Sequence, residues 1–294
     1  MKIIRSIQQM QQMSYEYTIN KKKIGFVPTM GFFHEGHLSL MKRARDENDV
    51  VVTSVFVNPL QFGPNEDFDQ YPRDEKRDIQ LAEETGVDVL FMPDKDEMYP
   101  QPMLVNLSLT GRTDVLCGRS RPGHFDGVIT VLTKLFHLVQ PDNVYFGMKD
   151  AQQIAVVDAL INDLNFPVQL VGSPTVRESD GLAKSSRNVY LQNEERKQAT
   201  WLFKALKKGQ QRIVDGEQNP AKIVNEVTDT IQQYTTGKID YVEVLEFPSL
   251  QPVTLIDRQV ILAVAVQFGQ ARLIDNLIVK NTGEIVEKIN QGRE

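Results

Sequence analysis

The sequence has 294 residues, with 33 Lys and Arg against 39 Asp and Glu, a net charge of −6 and an isoelectric point near 5.4. This length allows one large or two modest domains, and an acidic chain without a long basic block is a poor candidate for a nucleic-acid-binding protein. A single cysteine, Cys117, excludes an intrachain disulfide, and no apolar run is long enough to cross a bilayer, so we expect a cytoplasmic protein that binds neither nucleic acid nor a membrane.

The first strand-to-helix unit follows a short amphipathic lead-in over residues 1–23. The apolar run that begins at Ile24 and ends near Pro28 predicts a buried strand, and the apolar positions of residues 38–44 predict a partly buried helix. Gly36 lies between them and allows a ligand to approach the backbone closely. Unpaired N–H groups and the helix dipole make such a junction a phosphate site.

Two histidines, His34 and His37, lie in this junction. If the helix begins near Glu35, both side chains reach the same side of its first turn. Imidazoles there can donate hydrogen bonds to phosphate and can hold a proton near neutral pH. The spacing is also compatible with metal ligands, although no third ligand has matching spacing nearby, and with ordinary surface residues at a helix start.

Strand and helix patterns alternate from residue 24 to about residue 176, which predicts βαβ units in a Rossmann-like, doubly wound parallel sheet. A polar loop over residues 61–73 follows the second strand, at the edge where open sheets bind ligands, but its composition equally suits a solvent loop. The other predicted strands are 50–57, 87–93, 144–147 and 168–171, and the helices are 74–85, 128–139 and 151–165.

The pattern changes after about residue 176. Two helices, 194–214 and 220–234, precede three strand-like runs that begin near residue 239. Helices followed by consecutive strands are typical of an α+β domain. We therefore predict an α/β protein with a Rossmann-like domain over residues 1–176 and a smaller α+β C-terminal lid domain over residues 177–294.

Two further polar motifs lie where ligands are expected. In Gly147–Asp150, Lys149 can neutralise a phosphate and Asp150 can bind Mg²⁺, but the same residues suit a surface lysine and a helix cap. In Lys184–Arg187, two hydroxyls between two cations suit a phosphate clamp and equally a polar helix start. The basic loop at 112–124 is compatible with a pocket edge or with a solvated crossover.

Taken together, these motifs resemble those of a known family. The segment around His34 and His37 resembles the H-x-G-H signature of nucleotidyltransferases and class I aminoacyl-tRNA synthetases, and Lys184–Arg187 resembles the KMSKS-type loop that partners it. Over roughly two-thirds of its length, the chain resembles the pantothenate synthetase (pantoate–β-alanine ligase) family, with mild departures at Phe32, Phe33, Met148 and Lys184. The stretches that carry this resemblance are Val27–Leu40, Phe56–Gly63, Asp69–Arg73, Arg119–Asp126, Tyr145–Asp150, Gln152–Gln153 and Ser185–Asn188.

The resemblance implies ATP-dependent condensation of (R)-pantoate with β-alanine, through pantoyl adenylate, to pantothenate, AMP and pyrophosphate. It implies Mg²⁺, held by Asp150, and a homodimer. It also implies catalytic roles for His34, His37 and Lys149, with His37 as the candidate proton donor, and a second-domain loop that closes over ATP. The implied ATP-binding residues are Met30, Gly31, His34, Gly36, His37, Gly147, Met148, Lys149, Asp150, Val176, Lys184, Ser185, Ser186 and Arg187. The implied pantoate-binding residues are Pro28, Met30, Gln61, Phe62 and Gln153, and Gln61 is also expected to contact β-alanine.

Two other function classes share parts of this pattern. A nucleotidylyltransferase that transfers AMP to a phosphate acceptor has the same H-x-G-H core, but it does not need the paired glutamines, Gln61 and Gln153. A non-catalytic nucleotide-binding module would bind ATP without pantoate-dependent release of pyrophosphate. Formation of AMP that depends on both pantoate and β-alanine distinguishes the preferred function from both.

Overall fold

The computed structural model describes residues 1–63, 68–69 and 71–291, without the side chain of Gln291, and residues 64–67 and 70 of the predicted 61–73 loop lie outside it. The strands are β1 (Lys2–Ile4), β2 (Ile24–Thr29), β3 (Val50–Val55), β4 (Val89–Phe91), β5 (Asn143–Gly147), β6 (Gln169–Ser173), β7 (Lys238–Glu246), β8 (Val260–Phe268), β9 (Ala271–Val279) and β10 (Ile289–Gln291). The α-helices are α1 (Ile7–Ile19), α2 (Glu35–Glu47), α3 (Glu75–Glu84), α4 (Lys95–Met98), α5 (Leu116–Ser120), α6 (His124–Val139), α7 (Ala151–Asp163), α8 (Asn193–Val214) and α9 (Pro220–Tyr234).

Within the described residues, the first sheet has the order β1-β4-β3-β2-β5-β6-β10 and is parallel except for β10. The chain moves outward in one direction from β2 to β4 and in the other direction from β5 to β6. This reversal makes the gap between β2 and β5 a topological switch point, where doubly wound sheets bind ligands. Only Gly25 and Phe26 of β2 pair with β5, whereas all six β2 residues pair with β3, so β2 and β5 separate at their carboxyl ends and open a crevice.

Both faces of this sheet are covered. In β2, the fully buried Phe26 belongs to a core shared with α6 and α7, and the next residue, Val27, belongs to a core shared with α2. Consecutive strand residues point to opposite faces, so a strand covered on both sides has to be apolar throughout. This explains the unbroken apolar runs from which the parallel sheet was predicted.

The second sheet has the antiparallel order β7-β8-β9, and helices α8 and α9 cover one face. Along β8, Leu262 and Val264 pack in the core formed with these helices, while Ile261 and Ala263 pack in the core of the first sheet. The α/β fold with a smaller antiparallel C-terminal sheet is therefore confirmed, and the two sheets are joined by buried apolar contacts.

The division into domains 1–176 and 177–294 stays a prediction, which the separate sheets support, but its C-terminal end needs a correction. Strand β10 belongs to the first sheet, because Ile289 pairs with Gly172 of β6 and Arg43 of α2 donates hydrogen bonds to Gly172 O (3.0 Å) and Asn290 Oδ1 (3.2 Å). The lead-in predicted over residues 1–23 contains β1 and α1, and α6 begins at His124 rather than at residue 128. No helix among the described residues has both the length and the apolar composition that a membrane span requires.

Candidate active site

A cavity of about 280 Å³ lies at the crevice between the carboxyl ends of β2 and β5 and reaches the loop that precedes α8. Of the predicted site residues, Gly31 and Met148 do not line it. Gly31 lies in the turn between β2 and α2, and the side chain of Met148 packs in the core with 5% exposure. The predicted residues that do line it are Pro28, Met30, His34, Gly36, His37, Gln61, Phe62, Gly147, Lys149, Asp150, Gln153, Val176, Lys184, Ser185, Ser186 and Arg187.

The two histidines cap the N-terminus of α2. His34 Nδ1 accepts a hydrogen bond from the Gly36 N–H (3.1 Å), and His37 Nδ1 accepts one from the His34 N–H (3.3 Å). Their ring centroids are 4.1 Å apart. Because Nδ1 is the acceptor in both neutral rings, the proton of each ring is on Nε2, which is therefore a hydrogen-bond donor.

Both imidazoles are neutral at pH 7 in the ligand-free site. Burial, followed by the positive charge of Lys149, lowers the pKa of His34 below its usual 6.5. Burial, with the charges of His34 and Lys149, lowers the pKa of His37 to about 3. Without a bound anion, this pKa makes His37 a neutral hydrogen-bond donor, and the proton-donor role expected for it stays a prediction.

A buried carboxylate from α3 supports the turn that precedes these histidines. Asp78 is 1% exposed and accepts hydrogen bonds from the Phe32 N–H (2.8 Å) and the Phe33 N–H (2.7 Å). Burial raises the pKa of Asp78, and the two backbone donors oppose that shift. Gly31 adopts φ +84°, and a Cβ there would lie 2.9 Å from the Asp78 carboxylate, so this tight turn requires glycine. Nothing in the local sequence distinguishes Asp78 from a surface acid on a helix.

Lys149 and Asp150 lie in a 3₁₀ turn, Met148–Asp150, between β5 and α7. Asp150 occupies the N-cap position of α7, as one interpretation expected, but its side chain makes no capping hydrogen bond. Both residues line the cavity, and Lys149 is close enough to His34 to shift its pKa. Among the described residues, no group of three or more His, Cys, Asp or Glu side chains could hold a metal ion, so Asp150 is a single carboxylate at the cavity.

The loop that precedes α8 meets the first turn of α2. Lys184 Nζ lies 3.1 Å from Glu35 Oε1 and 2.9 Å from Glu178 Oε1. The Ser185 hydroxyl accepts a hydrogen bond from the Arg187 N–H (3.3 Å), which shapes the start of a 3₁₀ turn. Two motifs about 150 residues apart in the chain are thus brought together at one cavity.

Gln61 is fixed at the side of the cavity by its neighbours. Its Nε2 donates to Met30 Sδ (3.0 Å), and its Oε1 accepts from Asn58 Nδ2 (3.3 Å). The buried Asn58 also donates to Gly127 O (2.9 Å), which ties the Gln61 turn to α6. Sequence reasoning missed Asn58, because Asn-Pro at this point appears only to end a strand.

The basic loop at 112–124 reaches the same side of the cavity. His124 Nδ1 lies 2.8 Å from Gln61 O, and Arg121 Nη1 lies 3.0 Å from His124 Nε2. Both side chains line the cavity, so this end of the loop is a pocket edge.

Comparisons with known proteins agree with this geometry. The pantoate–β-alanine ligase family model matches residues 2–278. The chain is 60% identical over 275 residues to the pantothenate synthetase of Geobacillus sp. strain WCH70, covering 94% of this chain and 98% of that protein. The crystal structure of pantothenate synthetase from Thermus thermophilus superposes with a TM-score of 0.88 at 45% identity, covering 94% of this chain and 99% of that one.

A second solved structure carries ligands. Pantoate–β-alanine ligase from Francisella tularensis, complexed with β,γ-ATP and β-alanine, has a TM-score of 0.75 at 35% identity and covers 95% of this chain and 97% of that one. The match of the family model and the identity to the Geobacillus protein both extend over nearly the whole chain. The chain belongs to the pantoate–β-alanine ligase family.

Proposed function

We propose that His34, His37 and Lys149 hold the triphosphate of ATP while (R)-pantoate is activated beside it. The reaction is the ATP-dependent condensation of (R)-pantoate with β-alanine to pantothenate, AMP and pyrophosphate. One observation carries the assignment of residues: the two histidines, Lys149 and the Ser185–Arg187 segment line a single cavity at the topological switch point. The Francisella relative, complexed with β,γ-ATP, supports nucleotide binding by this family.

In the first step, a carboxylate oxygen of pantoate attacks the α-phosphorus of ATP. The bond from that phosphorus to the bridging oxygen breaks, pyrophosphate leaves, and pantoyl adenylate forms. The step needs no proton transfer, but negative charge grows on the leaving pyrophosphate. The Nε2–H donors of His34 and His37 and the cation of Lys149 are suited to stabilise that charge.

The loop before α8 adds donors from the other side of the cavity. Ser185 and Ser186 supply hydroxyls, and Arg187 supplies a guanidinium that can bind phosphate in a bidentate manner. Lys184 is held by the carboxylates of Glu35 and Glu178 in the ligand-free structure, so a contact from Lys184 to phosphate requires it to exchange these partners. The backbone around Gly36, Gly147 and Val176, together with the neighbouring Met30, is expected to lie against the nucleotide.

Pantoate carries hydroxyls and a carboxylate beside a gem-dimethyl group, so its pocket needs a few polar groups in apolar surroundings. We assign the hydrogen bonds to Gln61 and Gln153 and the apolar lining to Pro28, Met30 and Phe62. The Gln61 Nε2 hydrogen bond to a thioether sulfur is a weak one, so a substrate oxygen can replace the sulfur as acceptor.

In the second step, the neutral amine of β-alanine attacks the acyl carbon of pantoyl adenylate. The bond from that carbon to the phosphate oxygen breaks, AMP leaves, and the amine passes a proton to water, which gives the amide of pantothenate. Gln61 is our candidate contact for β-alanine, and the Francisella relative, complexed with β-alanine, supports binding of this substrate.

A bound Mg²⁺ fits this cavity. Mg²⁺ in nucleotide sites usually takes one or two protein carboxylates and completes its coordination with water and phosphate oxygens, and Asp150 is an uncapped carboxylate at the cavity. When bound, the ion would offset negative charge on the phosphates. We further propose that the enzyme is a cytoplasmic homodimer, on the grounds of family resemblance and of the single cysteine.

The test is AMP formation from ATP and Mg²⁺ with pantoate and β-alanine omitted in turn. We expect AMP release to need both substrates, and exchange of pyrophosphate into ATP to need pantoate alone. His37→Ala and Lys149→Ala should each lower the rate by about 10²–10³-fold while the protein stays folded. The exposed His137→Ala and Lys222→Ala variants are controls for the loss of a histidine or a lysine elsewhere.

Formation of ADP, or AMP formation that ignores pantoate, would refute the proposed function. Transfer of AMP to a phosphate acceptor would indicate a nucleotidylyltransferase instead. A variant that keeps the wild-type rate of pyrophosphate release would remove its residue from the mechanism.

A further inference from the structure

The turn that carries Lys149 is held by a side chain of the second sheet. Asn276, in β9, donates hydrogen bonds from Nδ2 to Met148 O (3.0 Å) and to Lys149 O (2.8 Å). These carbonyls belong to the two peptide groups on either side of the Lys149 Cα. Fixing both peptide groups fixes φ and ψ of Lys149, and with them the direction in which its side chain leaves the backbone.

Asn276 is one of two adjacent polar residues in an otherwise apolar part of β9. Asp275 is 3% exposed and Asn276 is 8% exposed, and they lie among buried or partly buried residues such as Leu273 and Leu277. Burying polar groups is unfavourable unless they form hydrogen bonds. An apolar pair would pack here at lower cost, so the polar pair calls for an explanation beyond packing.

Asp275 binds Arg177, which lies in the segment that leads into the Lys184–Arg187 loop. Its carboxylate accepts two hydrogen bonds from Arg177 (2.7 and 2.9 Å). Arg177 pairs with Ala183, directly before Lys184, and its guanidinium stacks on Phe203, 3.8 Å from the ring centroid. Adjacent residues of one strand therefore contact the Lys149 turn and the base of the loop that carries Lys184–Arg187.

We propose that Asn276 is a positioning residue for the reaction, which acts by holding Lys149 in the orientation that reaches the phosphates. The proposal rests on the role assigned to Lys149 above. Asn276 lines an adjoining cavity of about 920 Å³ together with Lys149 and Asp150, but both of its amide N–H donors are taken up by the Met148 and Lys149 carbonyls, so it acts through Lys149 rather than on the substrate. It also makes the orientation of a first-sheet lysine dependent on the second sheet.

The test is a double-mutant cycle. Asn276→Ala removes both donors, and we expect kcat for pantoate-dependent AMP formation to fall by about 10–100-fold, because small displacements of a catalytic group have effects of this size. The KM for pantoate should change by no more than about twofold, since Asn276 touches neither Gln61 nor Gln153. In the Lys149→Ala background, Asn276→Ala should lower the rate by no more than about twofold, because the group that it positions is absent.

Gln210→Ala is the matched control. Gln210 is also 8% exposed, lies in the second core and donates its amide to a backbone carbonyl, Gly283 O (2.7 Å), without contact to the Lys149 turn. We expect it to lower the unfolding temperature without lowering kcat. Asn276→Leu, which keeps the branching and the number of heavy atoms and suits the apolar strand, should repeat the kcat loss if the alanine variant is unstable.

A wild-type kcat in either Asn276 variant would overturn the proposal, and so would an equal loss of kcat in Gln210→Ala. It would also be overturned if Asn276→Ala lowered kcat by the same factor in the Lys149→Ala background as in the wild type. If neither Asn276 variant folds, the residue is required for folding, and its role as a positioning residue is likewise overturned. The Lys149→Ala single variant tests the role of Lys149 by itself. A wrong assignment of Lys149 can therefore be told apart from a wrong assignment of Asn276.

Discussion

The neutral state of His37 can be tested by changing both the residue and the pH. The pKa of His37 is about 3 in the folded protein, against about 6.5 when the chain is unfolded. Between these values the unfolded state binds a proton that the folded state does not, so the stabilising contribution of His37 is complete above pH 6.5 and falls as the pH decreases. For two-state unfolding, this difference in pKa lowers the unfolding free energy by about 2 kcal/mol between neutral pH and pH 5.

The assay compares the wild type with His37→Asn. With only four histidines in the chain, ring NMR signals can be assigned by substitution, and the His37 signal of the ligand-free protein should not titrate between about pH 5.5 and 8. Urea unfolding should show that His37→Asn loses about 2 kcal/mol less than the wild type between neutral pH and pH 5. The exposed His137→Asn variant is the control for loss of a histidine. A His37 midpoint near 6.5, or equal acid destabilisation of the wild type and His37→Asn, would refute the reasoning.

Three further substitutions test the supports of the site. Gly127→Ala places a methyl group against Leu60 O, so we expect a loss of about 1–3 kcal/mol in unfolding free energy and a higher KM for pantoate, because the Gln61 turn is displaced. Asp78→Asn replaces one of the two carboxylate oxygens that accept from the Phe32 and Phe33 N–H groups with an amide donor. We expect the unfolding free energy to fall by about 1–3 kcal/mol and kcat in the AMP assay to fall as well. Asp150→Asn should raise the Mg²⁺ concentration needed for half-maximal rate by about tenfold or more, as measured by Mg²⁺ titration at fixed ATP.

Each of these substitutions has a matched control. Gly111→Ala meets no atom within 4 Å and should leave stability and KM unchanged. Asp229→Asn, on the exposed face of α9, should change neither the unfolding free energy nor the Mg²⁺ requirement. If Gly127→Ala has the pantoate KM of Gly111→Ala, or Asp78→Asn the stability of Asp229→Asn, the contact in question does not support the site. An unchanged Mg²⁺ requirement in Asp150→Asn would remove Asp150 as a metal ligand.

Periodicity predicted the elements that are long enough to show it. Strand β2 and helix α2 lie where the apolar run and the helical stripe placed them, with α2 beginning at Glu35 as expected. Strands β1 and β10 were missed because each has three residues and lies in no longer apolar run, whereas the equally short β4 lies inside the longer, mostly apolar run 87–93. The first turn of α6 was missed because only Phe125 and Val128 among its first five residues are large and apolar, so the stripe becomes visible only later.

The residues that support the site could not be predicted in the same way. Asp78 and the turn it supports are about 45 residues apart, and Asn276 is 127 residues from Lys149. Contacts of this range depend on the order of strands and on the packing of two sheets, and neither leaves a local pattern in the sequence. The motif residues could be predicted because a strand end, a glycine and a helix start are adjacent in the chain.

The return of β10 to the first sheet has a mechanical consequence. The polypeptide crosses between the two sheets twice, once after β6 and once after β9. A domain joined to the rest of the protein by one chain segment can rotate in many directions. A domain joined by two segments, as the second sheet and its helices are, has fewer rotations open to it. Arg43 fixes the strand reached by the second crossing to α2, the helix whose N-terminus carries His34 and His37. Movement of the second sheet relative to this helix is therefore restrained at both crossings.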